Sequence, residues 1–170
     1  LFPQGRGFNP LLQDIALSIH PPILYAGYAG LSIIFSASLI CLLRGIDASS
    51  WFKSIHVWGI CSWSLLTLGI GLGGWWAYRE LGWGGFWFWD PVENVSLIVW
   101  LVVTALLHVK RIALGVISFL AVVLGIFLVR SGILSSVHSF AYDPLRGKLL
   151  LSIFGILCVA SISMYLKHKR

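Results

Sequence analysis

Five apolar stretches, each long enough to cross a lipid bilayer, constrain this chain more than any other feature of its sequence. A helix needs about 20 residues to cross the hydrocarbon layer, and lipid offers no partners for unpaired backbone groups. Only 11% of the residues are Asp, Glu, Lys or Arg, too few to cover the surface of a water-soluble domain. We therefore predict an all-α, polytopic membrane protein with five transmembrane helices. The predicted spans are residues 21–43, 55–77, 91–109, 112–129 and 149–166.

We predict a single membrane domain over residues 1–170, divided by the spans into shorter parts. The leader lacks the charged start, apolar core and cleavage site of a signal peptide. The distribution of positive charge described next places it on the outer face. A loop rich in tryptophan joins the second and third spans, and a loop with one histidine joins the fourth and fifth. The parts are the leader 1–20, the first two spans 21–77, the tryptophan-rich loop 78–90, the next two spans 91–129, the histidine loop 130–148, and the fifth span with its basic tail 149–170.

Positive charge is concentrated on one of the two sides that the alternating connections define. That side has a net charge of +6, whereas acids and bases balance on the other side. Because Lys and Arg are enriched in loops that face the cytoplasm or matrix, we predict that the basic side faces inward and the tryptophan-rich loop outward. The charge forms no basic stripe and accompanies no nucleic-acid motif, so no nucleic acid is predicted as a partner.

The loop between the second and third predicted spans is dense in aromatic residues and glycine. Five of the nine tryptophans lie between Trp75 and Trp89, and three glycines among them disfavour a continuous helix. Two interpretations stay open: an aromatic belt at the membrane interface, or a flat apolar platform for a planar ligand. A belt needs neither the glycines nor a nearly unbroken run of rings, so the platform is favoured. Its candidate residues are Trp83, Phe86, Trp87, Phe88 and Trp89.

The residues that follow this loop carry the signals of a helix start. Asp90 can act as the N-cap, Pro91 suits the first helical position, and Glu93 stands where a capping box needs it. We therefore predict a structural role for Asp90 and Glu93, and keep direct contact of Asp90 with a ligand as the alternative.

Histidine and arginine residues complete the set of candidate site residues. His20 directly precedes the first predicted span and His138 follows the fourth, so both lie on the side of the aromatic loop. Two imidazoles beside a flat apolar platform suggest bis-histidine ligation of the iron of a planar metallocycle. Arg79 and Arg130 either extend their charges to the interface or pair with a carboxylate of the ligand. His108 lies inside the third span, where an ionisable residue is a functional candidate.

Residues 83–94 resemble the tryptophan-rich WWD signature of the heme-handling proteins of cytochrome c maturation. Their form is most similar to that of the CcmF family, the heme lyase component of the system I pathway. Residues 9–14 followed by His20, and residues 127–132 followed by His138, are similar to the segments that flank the signature in that family. The resemblance covers nearly the whole chain, in order.

This resemblance implies roles that composition does not supply. The WWD loop of the family holds heme delivered by the heme chaperone CcmE, so His20 and His138 would be the axial ligands of its iron. His108 matches a transmembrane histidine that ligates a separate b-type heme. The family joins heme to the two thiols of a CxxCH apocytochrome c with the help of CcmH, and no catalytic residue is assigned because those thiols are the attacking groups. The alternative function is a module that transfers heme or docks the chaperone, without lyase chemistry.

The resemblance also has consequences for subunit composition and location. CcmF proteins are several times longer and carry a further transmembrane histidine beyond the position that matches His138. The chain resembles one fragment of a divided CcmF, which implies the mitochondrial inner membrane, with a bacterial inner membrane as the alternative. The second ligand of the b-type heme would then come from another CcmF fragment.

Overall fold

The computed structural model describes residues 7, 13–82, 84–136 and 143–168, which form five α-helices and no strand. Each helix is long and apolar enough to cross a membrane, which confirms the all-α, five-span prediction. The helices are α1 (Ile15–Arg44), α2 (Ala48–Glu80), α3 (Pro91–Val109), α4 (Ile112–Arg130) and α5 (Pro144–His168).

Helix α1 begins before the first predicted span, and the reason is its cap. The Asp14 carboxylate accepts a hydrogen bond from the Ala16 amide at 2.7 Å, which satisfies one of the donors that a helix start leaves open. The helix then continues through Pro21 and Pro22, which the sequence marks as the start of the span. His20 therefore lies inside α1 and not in the leader 1–20 ahead of it.

Helix α2 also extends beyond its predicted span, from Ala48 to Glu80. Arg79 is thus a helical residue, and the loop that carries the aromatic residues starts at Leu81 rather than at residue 78. Helix α5 starts at Pro144, within the segment predicted as the loop 130–148. Helix α3 has the predicted limits because its signals are local: a proline at the first position and a capping box.

The connections at one end of the bundle are very short. Gly45, in the left-handed conformation at φ 66°, ends α1, and three residues separate α1 from α2. Only Lys110 and Arg111 separate α3 from α4, and Lys110 adopts φ 57° to reverse the chain. We call this the basic-turn end. The opposite end, with the connections 81–90 and 131–143, is the tryptophan-loop end.

Glycine residues allow the helices of the bundle to pack closely. A Cβ atom at Gly27 would lie 3.0 Å from Leu66 Cγ, and one at Gly69 would lie 3.0 Å from Leu24 Cβ, so α1 and α2 approach through small residues. Leu31, at this interface, is fully buried. Helix α5 packs at the edge of the bundle. In its most apolar stretch only 6% of the residues are buried, against 44% in that of α1.

Helices α2 and α3 are joined by a reciprocal set of hydrogen bonds, which we call the Trp–Thr lattice. The Trp63 Nε1 donates to Thr104 Oγ1 at 2.9 Å, and the Trp100 Nε1 donates to Thr67 Oγ1 at 2.8 Å. Each threonine hydroxyl donates in turn to the carbonyl of the tryptophan one helical turn before it. The two indole rings stack at 5.9 Å, so polar and aromatic contacts fix the pair of helices together.

Candidate functional site

The imidazole of His20 is held by helix α2. Its Nδ1 lies 2.6 Å from the carbonyl oxygen of Gly69. Because a carbonyl only accepts, Nδ1 carries the proton and the lone pair of the neutral ring lies on Nε2. Metal-ligating histidines commonly have this arrangement, in which the second ring nitrogen donates to a backbone carbonyl. His20 thus has the tautomer that a ligand to iron needs.

A glycine in α2 makes the space for this ring. A Cβ atom at Gly73 would lie 2.8 Å from His20 Cε1, closer than side chains tolerate. Gly69 and Gly73 are one turn apart on the same face of α2. The carbonyl of Gly69 accepts the hydrogen bond from His20, and Gly73 leaves space for the imidazole ring. We call this pair the glycine slot. The sequence contained a signal for it, because closely spaced glycines in an apolar span indicate close approach of another group.

A small cavity adjoins His20 at the tryptophan-loop end, and we call it the His20 cavity. Its volume is about 50 Å³, and both His20 and Trp87 line it. Pockets for ligands of drug or cofactor size have volumes of roughly 300–1,000 Å³. The His20 cavity therefore has room for water-sized molecules but not for a porphyrin. Its other walls include Leu24, Trp76, Val92 and Ser96.

The aromatic residues of the loop divide into two groups. Phe86, Phe88 and Trp89 are exposed, with 57%, 58% and 70% of their surfaces accessible. Trp87 is half-buried and lines the His20 cavity. Trp83, also a candidate, lies outside the described residues. The described part of the loop therefore presents three rings outward and one ring toward His20.

The first turn of α3 holds the end of this loop. Both the Phe88 and the Asp90 backbone amides donate to Glu93 Oε2, at 3.0 and 3.1 Å. The Asn94 side-chain amide donates to the Trp89 carbonyl at 3.1 Å. These bonds support Trp89 in the left-handed conformation at φ 60°, which a bulky residue adopts only when its surroundings impose it. The predicted capping box of Asp90 and Glu93 is confirmed.

Asp90 makes a second contact that the sequence did not reveal. Its Oδ2 accepts a hydrogen bond from Ser136 Oγ at 2.6 Å, while Asp90 itself is only 8% exposed. This bond attaches the segment after α4 to the start of α3. Ser136 is two residues before His138 in the sequence. His138 itself lies outside the described residues, so its ligand role stays a prediction.

The two candidate arginines have different surroundings. Arg79 Nη2 lies 3.1 Å from the buried Asp14 carboxylate, and its guanidinium lies over the Trp75 ring at 4.8 Å. Arg79 therefore has a structural partner, where the sequence suggested snorkelling or a ligand carboxylate. Arg130, the last residue of α4, lines an apolar groove of about 250 Å³ between α1, α3 and α4, together with Tyr25 and Tyr28.

His108 lies at the basic-turn end of α3. Its Nδ1 is 2.8 Å from the Thr104 carbonyl oxygen, which again places the lone pair on Nε2, and its side chain is exposed on the outside of the bundle. Since α3 is a single helix from Pro91, seventeen residues separate His108 from the loop, or about 25 Å at 1.5 Å per residue. Within the described ranges, no group of three or more His, Cys, Asp or Glu residues is placed to hold a bare metal ion.

Comparison with known proteins identifies relatives of this chain. Residues 1–135 match the family described as cytochrome C assembly protein. Over 95% of its length the chain is 49% identical to the cytochrome c-type biogenesis protein ccl1 of Rhodobacter capsulatus and 48% identical to CycK of Bradyrhizobium diazoefficiens, covering 26% of each relative. It is 47% identical to the cytochrome c-type biogenesis protein CcmF of Haemophilus influenzae, again over 95% of its length and covering 27% of that protein. The chain spans about a quarter of the length of these relatives. From the family match and these identities, the chain belongs to the cytochrome c assembly protein family.

Proposed function

We propose that this chain is the heme-binding subunit of a cytochrome c heme lyase. It would hold heme at the tryptophan-loop end while the heme is joined to the CxxCH thiols of apocytochrome c. The observation that carries the proposal is His20: its Nδ1–H donates to Gly69, its ring lies on the glycine slot, and exposed aromatic rings are nearby. The donor type fits heme iron, which imidazole ligates well.

In this proposal each residue of the site has a distinct task. His20 and His138 ligate the iron, and the exposed rings of Phe86, Phe88 and Trp89 provide flat apolar contact with the macrocycle. Arg79 and Arg130 are both proposed partners for a carboxylate of the heme, and Arg79 also pairs with Asp14.

The chemistry of attachment requires little from the protein beyond positioning. Each cysteine S–H of the apocytochrome adds across a heme vinyl group, which forms one C–S bond and releases no leaving group. The chain's share is to hold the heme in one orientation and to limit competing reactions. Because the apocytochrome supplies the thiols, a lyase subunit needs no nucleophile of its own. The alternative, a heme-transfer module, predicts heme release to a partner without thioether formation.

His108 is proposed as a ligand of a separate b-type heme, whose second ligand comes from another polypeptide. The Thr104 carbonyl orients its ring, and its exposed position favours a ligand from outside this bundle. A b-type heme, when bound, supplies an electron for reduction of iron. The length of α3 separates this residue from the aromatic loop, so we propose no direct contact between the two sites.

The proposed partners are those of the cytochrome c assembly pathway. They are CcmE as heme donor, CcmH, apocytochrome c and the polypeptide that carries the remainder of a CcmF. The relatives reported above are bacterial, which supports a bacterial inner membrane. The mitochondrial inner membrane is proposed on the resemblance to divided CcmF proteins.

Substitution of His20 by Gly tests the proposed function. In membranes that contain the assembled complex, we expect His20→Gly to change the absorption spectrum of the bound heme and to abolish cytochrome c production, because an axial ligand is lost. Added imidazole should restore both, since it can enter the space left by the side chain. His56→Gly, an exposed histidine on the same helix pair at the basic-turn end, is the matched control. An unchanged spectrum and unchanged yield in His20→Gly would contradict the proposal.

A further inference from the structure

The His20 cavity is too small for the ligand that the proposed function requires. Its volume of about 50 Å³ is far below the roughly 300 Å³ at which ligand pockets of this class begin. The ring of His20 lines this cavity, lies against Gly73 and directs its Nδ1 to the Gly69 carbonyl. A macrocycle that reaches His20 through this cavity therefore needs part of the cavity wall to move.

Of the residues named as lining the His20 cavity, Trp87 is the one that can move without displacing a helix. It belongs to the loop rather than to a helix, whereas Leu24, Trp76, Val92 and Ser96 lie within helices. Its Nε1 is buried and has no hydrogen-bond acceptor in the part of the chain that the structure describes. A buried donor without an acceptor loses free energy relative to one in water, so the inward position of Trp87 is unfavourable for that group.

In the described part of the loop, Phe86 and Phe88 attach the residues around Trp87 to α2 and α3. At the far end, the Phe88 amide is bound to Glu93. At the near end, Gly84 adopts φ 75°, and a Cβ there would meet nothing within 4 Å. Between them, Phe86 contacts α2 through a ring stack on Tyr78 with centroids 4.5 Å apart, and through its carbonyl against Gly74. We call residues 84–88 the Trp87 strap.

We propose that the Trp87 strap is a lid over His20, and that a planar metallomacrocycle ligates His20 only after the strap leaves α2 and carries the Trp87 indole out of the His20 cavity. This inference rests on the proposed function, because it assumes that His20 binds heme iron. The movement would break the Tyr78–Phe86 stack and the contact of Phe86 with Gly74. It would also give the Trp87 Nε1 access to water or to an acceptor on the ligand, which removes the cost of its unpaired donor.

A reversible cross-link between the strap and α2 tests the lid. A Cβ at Gly74 would lie 3.8 Å from Phe86 Cβ, which is the separation that a disulfide favours. It would also lie 2.9 Å from the Phe86 carbonyl oxygen, so the reduced and oxidised forms of one variant are compared with each other. The test protein carries Gly74→Cys and Phe86→Cys in the full chain and its native complex. Its three native cysteines are replaced by alanine. Hemin binding is followed by the absorption spectrum, in reduced and in oxidised protein.

We expect reduced protein to bind hemin with a His20-dependent spectrum, and oxidised protein to bind it roughly tenfold more slowly or not at all, since the bridge cannot open without breaking. Reduction of the oxidised sample should restore binding. Equal rates and extents in the two forms would overturn the lid while leaving the proposed function intact. A cysteine-free parent that shows no His20-dependent spectrum would overturn the proposed function, and this inference with it.

A second variant keeps the test valid if the cross-linked protein does not assemble. Trp87→Ala removes the side chain that forms this wall of the His20 cavity, so hemin association should accelerate by about fivefold or more, which corresponds to a barrier lower by about 1 kcal/mol. Its dissociation should also accelerate if the indole packs on bound heme. Trp58→Ala is the matched control, because Trp58 lies on α2, is 47% exposed and does not line the cavity. Equal association rates in the two variants would contradict the lid.

Discussion

At the basic-turn end the chain reverses direction within three residues between α1 and α2 and within two between α3 and α4, whereas ten residues join α2 to α3 at the tryptophan-loop end. The short turns are stabilised locally: Gly45 and Lys110 adopt left-handed conformations, and Asp47 caps the helix that it precedes. The longer connection is stabilised by residues far apart in the chain, as in the pairs Asp14–Arg79 and Asp90–Ser136.

This difference separates turns that serve the fold from the loop that we propose to hold a ligand. A two-residue turn needs only the conformational preferences of its own residues. The loop that carries the exposed aromatic rings is held by Glu93 and Asn94 of α3 and by the contacts of Phe86 with α2. Substitutions at the two ends should therefore have unequal consequences.

The largest effect is expected at Gly73. The methyl group of Gly73→Ala would press on the His20 ring and shift it from the Gly69 carbonyl, and such overpacking costs about 1–3 kcal/mol. Heme affinity should fall by roughly tenfold or more, measured by hemin titration. Gly71→Ala is the matched control, since a Cβ there meets nothing within 4 Å. Equal losses in both variants would show that the glycine slot does not hold His20.

A smaller effect is expected from the helix caps, and here the two ends can be compared directly. Asp14→Ala removes the cap of α1 and the partner of Arg79, which should lower the free energy of unfolding by about 0.5–2 kcal/mol. Asp47→Ala removes an exposed cap of α2 and should cost less. Thermal unfolding in detergent measures both. An equal or larger loss for Asp47→Ala would contradict the proposed difference between the ends.

The smallest effect is a pH dependence confined to the basic-turn end. The Ser50 backbone amide, with further help from its side chain, lowers the pKa of Asp47 below its ordinary value. Because the folded pKa is the lower one, the stabilisation is complete above the unfolded value, near 3.9, and is lost as the pH falls through the folded value. The protection of the Ser50 amide against hydrogen exchange, relative to an unstructured peptide at the same pH, should fall below about pH 4. Asp47→Asn, which caps without a charge, should remove this dependence.

Sequence patterns predicted the features that depend on nearby residues. The five spans follow from runs of apolar residues, and the start of α3 follows from Asp90, Pro91 and Glu93 within four positions. The proline pair suggested that the first span begins at Pro21, whereas the Asp14 cap begins α1 six residues earlier, at Ile15. The His20–Gly69 contact and the Asp90–Ser136 bond join residues 49 and 46 positions apart, so a local pattern can indicate the closely spaced glycines but not the residue that packs on them.

The Trp–Thr lattice limits how the molecule can respond to a ligand. Its two hydrogen bonds point in opposite directions between α2 and α3, so sliding one helix along the other by a single turn would break both and separate the stacked rings. The lattice therefore fixes the register of α2 relative to α3. The ends of the loop that they carry stay at a fixed spacing, and any opening above His20 is restricted to the loop itself.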